Sequence, residues 1–134
     1  MILADTSAWV EFDRATGSAV DVRLTELVSG DALRVTEPVI MEVVAGARDQ
    51  RRERDLRRMM LGVGLMPFDA AVDFDAATRI YRQCRSRGVT PRGMIDCMIA
   101  AVAWRSGAAI LAQDADLARV AHVMDLSLDP ASLT

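Results

Sequence analysis

The chain has 134 residues, 51% of them hydrophobic and 26% charged, which suits a folded domain with a real core and excludes a disordered protein. No apolar run reaches the roughly 18 residues that span a bilayer, and the N-terminus lacks the basic flank of a secretory signal. The net charge is −3 and all 16 basic residues are arginine, so chemistry that needs a lysine is excluded. We expect a single domain over residues 1–134 in the cytoplasm, where the two unpaired-looking cysteines would stay reduced.

Short apolar segments alternate with helical patterns along the chain. The predicted strands are 2–4, 32–35, a weak one at 65–68, 109–112 and a possible edge strand in the tail, 126–134. The predicted helices are 7–12, 18–30, 36–46, 48–58, 70–87, 93–106 and 117–123. This alternation predicts an α/β fold, with a parallel sheet covered by helices on both faces.

The helix predicted over 93–106 is apolar on nearly every side as far as Trp104, and Asp96 is the one charge within that stretch. Burying an unpaired charge is costly, so the carboxylate must either lose its charge or find partners. A structural explanation is also open, because the dipole of a helix favours an acid in its first turn.

Other acids interrupt or end apolar segments in the same way. Asp5 follows the first strand, Asp114 and Asp116 follow the strand at 109–112, and Glu42 is the only charge within 38–47. Ligands of parallel sheets bind beyond the carboxyl ends of the strands, where these acids are expected to meet. Taken singly, each aspartate could cap a helix and the glutamate could lie at a helix surface.

Clustered carboxylates repel one another unless a cation neutralises them. Oxygen ligands without histidine or cysteine suit Mg²⁺ or Mn²⁺ rather than zinc, and the single histidine, His122, lies in a helix expected to be exposed. A cation held by carboxylates can activate water and stabilise charge on a phosphoryl group. The pattern therefore favours metal-dependent hydrolysis of a phosphodiester.

Four segments carry a resemblance to a known family. They are Asp5-Thr6-Ser7, then Pro38-Val39-Ile40-Met41-Glu42-Val43 with Gly46, then Met94-Ile95-Asp96-Cys97-Met98-Ile99-Ala100-Ala101, then Ile110-Leu111-Ala112-Gln113-Asp114-Ala115-Asp116-Leu117. Their order and spacing resemble the PIN-domain ribonucleases, and the length is similar to that of VapC-type toxins. The resemblance implies a three-layer α/β/α sandwich around a short, mainly parallel sheet. It also implies a magnesium- or manganese-dependent endoribonuclease that forms a homodimer and is inhibited by a cognate antitoxin.

The resemblance also implies roles for individual residues. Carried over by position, the catalytic and metal-binding acids are Asp5, Glu42, Asp96 and Asp114, with Asp116 as an additional or alternative ligand. Thr6 and Ser7 would orient a ligand or a metal-bound water. Many relatives have a hydroxyl residue in place of Ala112 and an aromatic in place of Leu117, which leaves the choice between Asp114 and Asp116 open.

An acidic pocket repels RNA, so positive charge must flank it. We expect Arg85, Arg87 and Arg92 to bind RNA, ahead of the arginine-rich run at 48–58, which could equally be an exposed helix with internal pairs such as Glu53 with Arg57. Trp9 could stack on a base, belong to the core or line a groove for the antitoxin.

The helix at 51–61 could form, with the helix that contains Glu42, an apolar groove for an amphipathic segment of the antitoxin. Two other functions stay open from the sequence. One is a non-catalytic PIN-like module that binds RNA or a protein, and the other is a metal-dependent phosphatase.

Overall fold

A computed structural model describes residues 1–133 and has a short parallel sheet at its centre. The elements are β1 (Ile2–Ala4), α1 (Thr6–Asp13), α2 (Ala19–Val28), β2 (Leu33–Arg34), α3 (Glu37–Ala45), α4 (Gln50–Val63), α5 (Asp73–Ser86), α6 (Met94–Ser106), β3 (Ala109–Leu111) and α7 (Ala115–Val123). None of the helices within residues 1–133 has the length and apolar character needed to cross a bilayer.

The sheet has the strand order β2-β1-β3, with both pairs parallel. Leu3 lies opposite Arg34 on one side and Ile110 on the other. Leu3, Ala4, Ile110 and Leu111 are fully buried, as expected for strands that helices cover on both faces. The predicted α/β fold is therefore confirmed, and the carboxyl ends of β1 and β3 meet at one edge of the sheet.

Two predicted strands are shorter than expected. The segment at 65–68 contributes only a parallel bridge between Leu65 and Val35, and the tail contributes only one between Leu128 and Ile110 as far as residue 133, Thr134 lying outside the described residues. Pro67 follows soon after the first bridge and Pro130 soon after the second. Because proline has no N–H to donate to a ladder, neither edge continues as a regular strand.

A buried ion pair fixes α5 against α6. Asp73 is 1% exposed, and its two oxygens accept from Arg105 Nε at 2.9 Å and Nη2 at 2.8 Å. Arg105 Nη2 also donates to the carbonyl of Pro67 at 2.7 Å. Burial alone would raise the pKa of Asp73, but the hydrogen bonds from Arg105 and from the Asp69 N–H outweigh it and hold the pKa below its usual value.

We expect Arg105→Ala to lower the free energy of unfolding by about 2 kcal/mol, because it leaves a buried carboxylate without its partner. Since the folded pKa of Asp73 is lowered, this loss is present at neutral pH and disappears as the pH falls below about 4 and through the folded pKa. Urea titrations at several pH values measure it. Arg79→Ala is the matched control, because Arg79 and Asp75 form an exposed pair on α5; an equal loss in both variants would contradict the prediction.

Candidate active site

The edge of the sheet where β1 and β3 end carries an open, acidic depression of about 450 Å³. Glu42 from α3, Asp96 from the first turn of α6 and Asp114 from the start of α7 line it. Asp5 directly follows β1 and is 2% exposed. Four acids that are far apart in sequence are thus brought to one place by the parallel topology.

Asp5 has one satisfied and one unsatisfied oxygen. Its Oδ2 accepts from the Ser7 N–H at 3.0 Å and from Ser7 Oγ at 2.6 Å, so Asp5 also caps α1, as the structural alternative predicts. Its Oδ1 is buried and has no hydrogen-bond partner within residues 1–133. Burial raises the pKa of Asp5, although the bonds from Ser7 oppose the rise, and the charge of Asp114 adds to it. A buried oxygen without a partner is costly, and a bound cation would remove that cost.

Asp96 is half-buried, and the pKa of its carboxyl is raised from 3.8 to about 7. Burial of the side chain is the main cause, and repulsion by four neighbouring carboxylates adds to it. These four are Asp5, Asp114, Asp116 and Glu42. Asp96 does lie in the first turn of α6, but the favourable helix dipole there is outweighed. The dipole alone does not account for an acid at this position.

Thr6 and Ser7 hold two of these acids in place. Thr6 Oγ1 donates to Glu42 Oε1 at 2.6 Å, which joins α1 to α3. Ser7 Oγ donates to Asp5 and accepts from the Gln113 N–H at 2.8 Å. Because Gln113 follows β3, the Ser7 hydroxyl connects the ends of the two strands that carry Asp5 and Asp114.

Asp114 and Asp116 have different surroundings. Asp114 Oδ1 caps α7 by accepting from the Asp116 N–H at 2.8 Å, and it also accepts from Arg92 Nη2 at 3.0 Å. Asp116 is 3% exposed; its Oδ2 accepts from the Arg92 N–H at 3.0 Å and its Oδ1 from Arg119 Nη2 at 3.2 Å. Both oxygens of Asp116 are therefore engaged by donors of the protein, which favours Asp114 as the fourth acid of the site.

The pKa of Asp116 reflects these contacts. Its burial would raise the pKa, but the Arg92 N–H and the Arg119 guanidinium outweigh this effect, so the pKa of Asp116 lies below its usual value. Arg119 is a residue that the sequence analysis missed. Its position three residues after Asp116 on α7 was the available signal.

The acids are not arranged as a finished metal site. Within residues 1–133, no three acidic, histidine or cysteine side chains converge closely enough to hold an ion as they stand. Instead, Glu42, Asp5 and Asp114 each accept from a different neighbour. The donor chemistry nevertheless fits a hard divalent cation, because every candidate ligand atom is a carboxylate oxygen and Asp5 Oδ1 is buried without a partner within residues 1–133.

Of the three arginines expected to bind RNA, the structure brings only Arg92 to the acidic depression. Arg85 lies 6.0 Å from the ring centre of Tyr81 and lines a different depression. Arg87 lines a third depression, which it shares with Trp104. An RNA contact by any of them stays a prediction.

The arginine-rich run lies mostly in α4, which begins at Gln50 and extends to Val63 where a helix over 48–58 was predicted, and several charges of the run are paired. Arg57 lies 3.4 Å from Glu53, as the exposed-helix interpretation predicts, and both Arg48 and Arg52 pair with Asp13 on α1.

The suggestion that Trp9 stacks on a base is wrong. Trp9 is fully buried and packs edge to face against Phe12, with ring centres 5.9 Å apart.

Comparison with known proteins agrees with this architecture. Residues 2–123 match the family model described as "PIN domain". Ribonuclease VapC11 of Mycobacterium tuberculosis is 45% identical over 128 residues, which cover 94% of this chain and 96% of that protein.

Two solved structures share the fold at low sequence identity. The structure of VapBC2 from Rickettsia felis bound to a promoter DNA fragment has a TM-score of 0.75 at 15% identity and covers 100% of both chains. A toxin-antitoxin complex from Klebsiella pneumoniae has a TM-score of 0.70 at 15% identity and covers 100% of this chain and 97% of that one. The chain therefore belongs to the PIN domain family, and within it to the VapC proteins.

Proposed function

We propose that this chain is a magnesium- or manganese-dependent endoribonuclease that hydrolyses RNA phosphodiester bonds as the toxin of a toxin–antitoxin pair. The observation that carries the proposal is the gathering of Asp5, Glu42, Asp96 and Asp114 at the carboxyl ends of β1 and β3. The 45% identity to a protein named a ribonuclease supports the same reaction.

In this proposal the four acids hold the cation, which when bound supplies an activated water and stabilises charge on the phosphoryl group. Thr6 keeps the Glu42 carboxylate in place, and Ser7 does the same for Asp5. Asp116 has a different task, since its oxygens fix the backbone of Arg92 and the side chain of Arg119. Arg92 lies at the acids and Arg85 and Arg87 line other depressions; in this proposal their charges offset the repulsion between the acids and the RNA backbone.

We also propose an antitoxin partner that covers an apolar surface on α3 and α4. These helices pack against each other, and they expose Met41 on α3 and Leu61 on α4 by 55% and 54%. An amphipathic segment would bury such side chains. The solved complexes of the R. felis and K. pneumoniae proteins support a partner of this kind. The homodimer that the family resemblance implies and the cytoplasmic location expected from the composition belong to the same proposal.

The reaction is tested with purified protein, a labelled RNA, and Mg²⁺, Mn²⁺ or excess EDTA. We expect internal cleavage with either cation and none with EDTA, because the carboxylates alone provide neither an activated water nor positive charge for the phosphoryl group. The absence of cleavage in EDTA excludes a contaminating metal-independent nuclease, and restoration by added Mn²⁺ shows that EDTA acts by removing the metal and not by inactivating the protein.

The alternative functions predict different results when a Mn²⁺ titration and a phosphomonoester assay are added to the RNA cleavage assay. A non-catalytic binding module would retain RNA without cutting it and would show no Mn²⁺ binding at the acids. A phosphatase would hydrolyse a chromogenic phosphomonoester and leave RNA intact. Either result would overturn the proposed reaction.

A further inference from the structure

Arg92 is the cation that lines the acidic depression, and its backbone and side chain are held very differently. Its N–H donates to the buried Asp116 Oδ2 at 3.0 Å. Its side chain is 73% exposed, and the guanidinium contacts Asp114 Oδ1 at 3.0 Å through Nη2, with Nε 3.7 Å from Asp116 Oδ2. The residue is thus anchored at the rim of the depression, while its charged end lies in solvent.

The contact between Arg92 and Asp114 is of the kind that exchanges easily. An ion pair with one exposed partner contributes little net stability, because water competes for the Arg92 guanidinium and two side chains must be ordered. Asp114 does not depend on Arg92 for its position, since the Asp116 N–H holds the same Oδ1 at 2.8 Å. Loss of the guanidinium would therefore leave Asp114 in place.

Arg119 provides an instructive contrast. It also reaches this acidic region, with Nη2 3.2 Å from Asp116 Oδ1. It contacts Asp116, whose two oxygens both accept hydrogen bonds from the protein, and it does not line the depression. Arg92, by contrast, lines the depression and contacts Asp114, so a cation bound by Asp114 would lie next to the Arg92 guanidinium.

We propose that Arg92 is a displaceable internal counter-ion, which neutralises Asp114 when the acids hold no divalent cation and turns to an RNA phosphate when they do. The inference rests on the proposed function, and it adds a competition between an arginine of the chain and the metal. A cation at Asp114 repels the guanidinium, and a phosphate matches its planar donors as a carboxylate does. Loading of the metal would then make RNA binding stronger.

The first test is calorimetric titration of Mn²⁺ into EDTA-treated, dialysed protein without RNA. We expect Arg92→Gln to bind Mn²⁺ about 2- to 5-fold more tightly than the wild type, the range that corresponds to one exposed ion pair. Arg119→Gln is the matched control, and its affinity should change by less than about 2-fold, because Arg119 does not contact Asp114. Equal Mn²⁺ affinity in the wild type and in Arg92→Gln would overturn the inference.

The second test measures the affinity for a fluorescent phosphorothioate RNA, which resists hydrolysis, with and without Mn²⁺. We expect Arg92→Gln to weaken RNA binding with Mn²⁺ and to reduce the salt slope by about 1, as loss of one phosphate contact does. In EDTA the difference between the wild type and the variant should be smaller, because the guanidinium then offsets Asp114 and does not contact a phosphate. Equal weakening in both conditions would show that Arg92 is a permanent RNA contact and would overturn the exchange.

These outcomes are separable from failure of the proposed function. If the wild type binds no Mn²⁺ and cuts no RNA, the metal-dependent nuclease itself is refuted, and the inference with it. If the wild type does both, only the two comparisons with Arg92→Gln decide the role of this arginine.

Discussion

Asp96→Asn is expected to reduce RNA cleavage by at least about 10³-fold, since a carboxylate that holds the metal contributes several kcal/mol to the reaction. The change removes one charge and keeps the shape of the side chain, so the fold should persist. Single-turnover cleavage of a labelled RNA at saturating Mn²⁺ measures the loss, and near-ultraviolet circular dichroism checks the fold. Cleavage by the purified variant at the wild-type rate would refute the proposed site.

The same substitution should stabilise the metal-free protein above neutral pH. Burial, followed by repulsion from its acidic neighbours, raises the pKa of Asp96 to about 7. In the unfolded chain this carboxyl ionises near its ordinary value of about 4. Because the folded pKa is the higher one, the wild type has its full stability below about pH 4 and loses part of it as the pH rises to about 7.

The variant has no carboxyl at this position and therefore escapes that loss. We expect it to exceed the wild type by roughly 1–2 kcal/mol at about pH 8, after allowance for solvent screening of a half-buried group. The two should be equally stable near pH 4. Urea titrations in EDTA measure the difference, and Asp31→Asn, a change at an exposed acid, should show none. A variant less stable than the wild type at both pH values would indicate a structural role for Asp96.

Much of the fold could be predicted because the pattern of apolar and polar residues within each short segment identifies its secondary structure. The strands that form the centre of the sheet are short apolar runs that end in an acid or a loop, and β1 and β3 lie close to where the sequence places them. The predicted start of α7 is wrong by two residues. The helix begins at Ala115 rather than at Leu117, because the Asp114 carboxylate caps it by accepting from the Asp116 N–H. A cap is chosen by local geometry, and several neighbouring acids can supply it.

The candidate site was predictable as a set of residues but not in its detailed contacts. The parallel topology brings together acids at the ends of β1 and β3, so their meeting follows from the order of the elements. The distinction between Asp114 and Asp116 depends on which donors reach each carboxylate. The Arg92 N–H that donates to Asp116 is 24 residues away along the sequence, and no local sequence pattern predicts such a contact. Trp9 illustrates the same difficulty. It lies four residues after Asp5 in the sequence, but this closeness does not indicate that the Trp9 side chain is buried in the core.

Ser7→Ala is expected to lower the affinity for Mn²⁺ and the rate of RNA cleavage by about 10- to 100-fold, as loss of a group that orients a metal ligand does. The Ser7 hydroxyl donates to Asp5 Oδ2 at 2.6 Å and accepts from the Gln113 N–H at 2.8 Å. Its removal leaves Asp5 with only the Ser7 N–H on that oxygen, and it leaves a backbone donor after β3 unpaired. Calorimetric titration of Mn²⁺ and cleavage at several Mn²⁺ concentrations measure the two effects.

The metal dependence of the defect distinguishes orientation of Asp5 from general loss of stability. A loosened Asp5 binds the cation weakly, so raising the Mn²⁺ concentration should recover part of the lost rate in Ser7→Ala. A variant that is merely less stable would lose activity in proportion to its unfolded fraction, and a urea titration reveals that fraction. Ser86→Ala is the matched control, because the Ser86 hydroxyl donates to the Gln83 carbonyl at the end of α5 and is exposed. Unchanged Mn²⁺ affinity in Ser7→Ala would mean that Asp5 needs no support from the end of β3, and the proposed link between the two strands would then have no part in holding the metal.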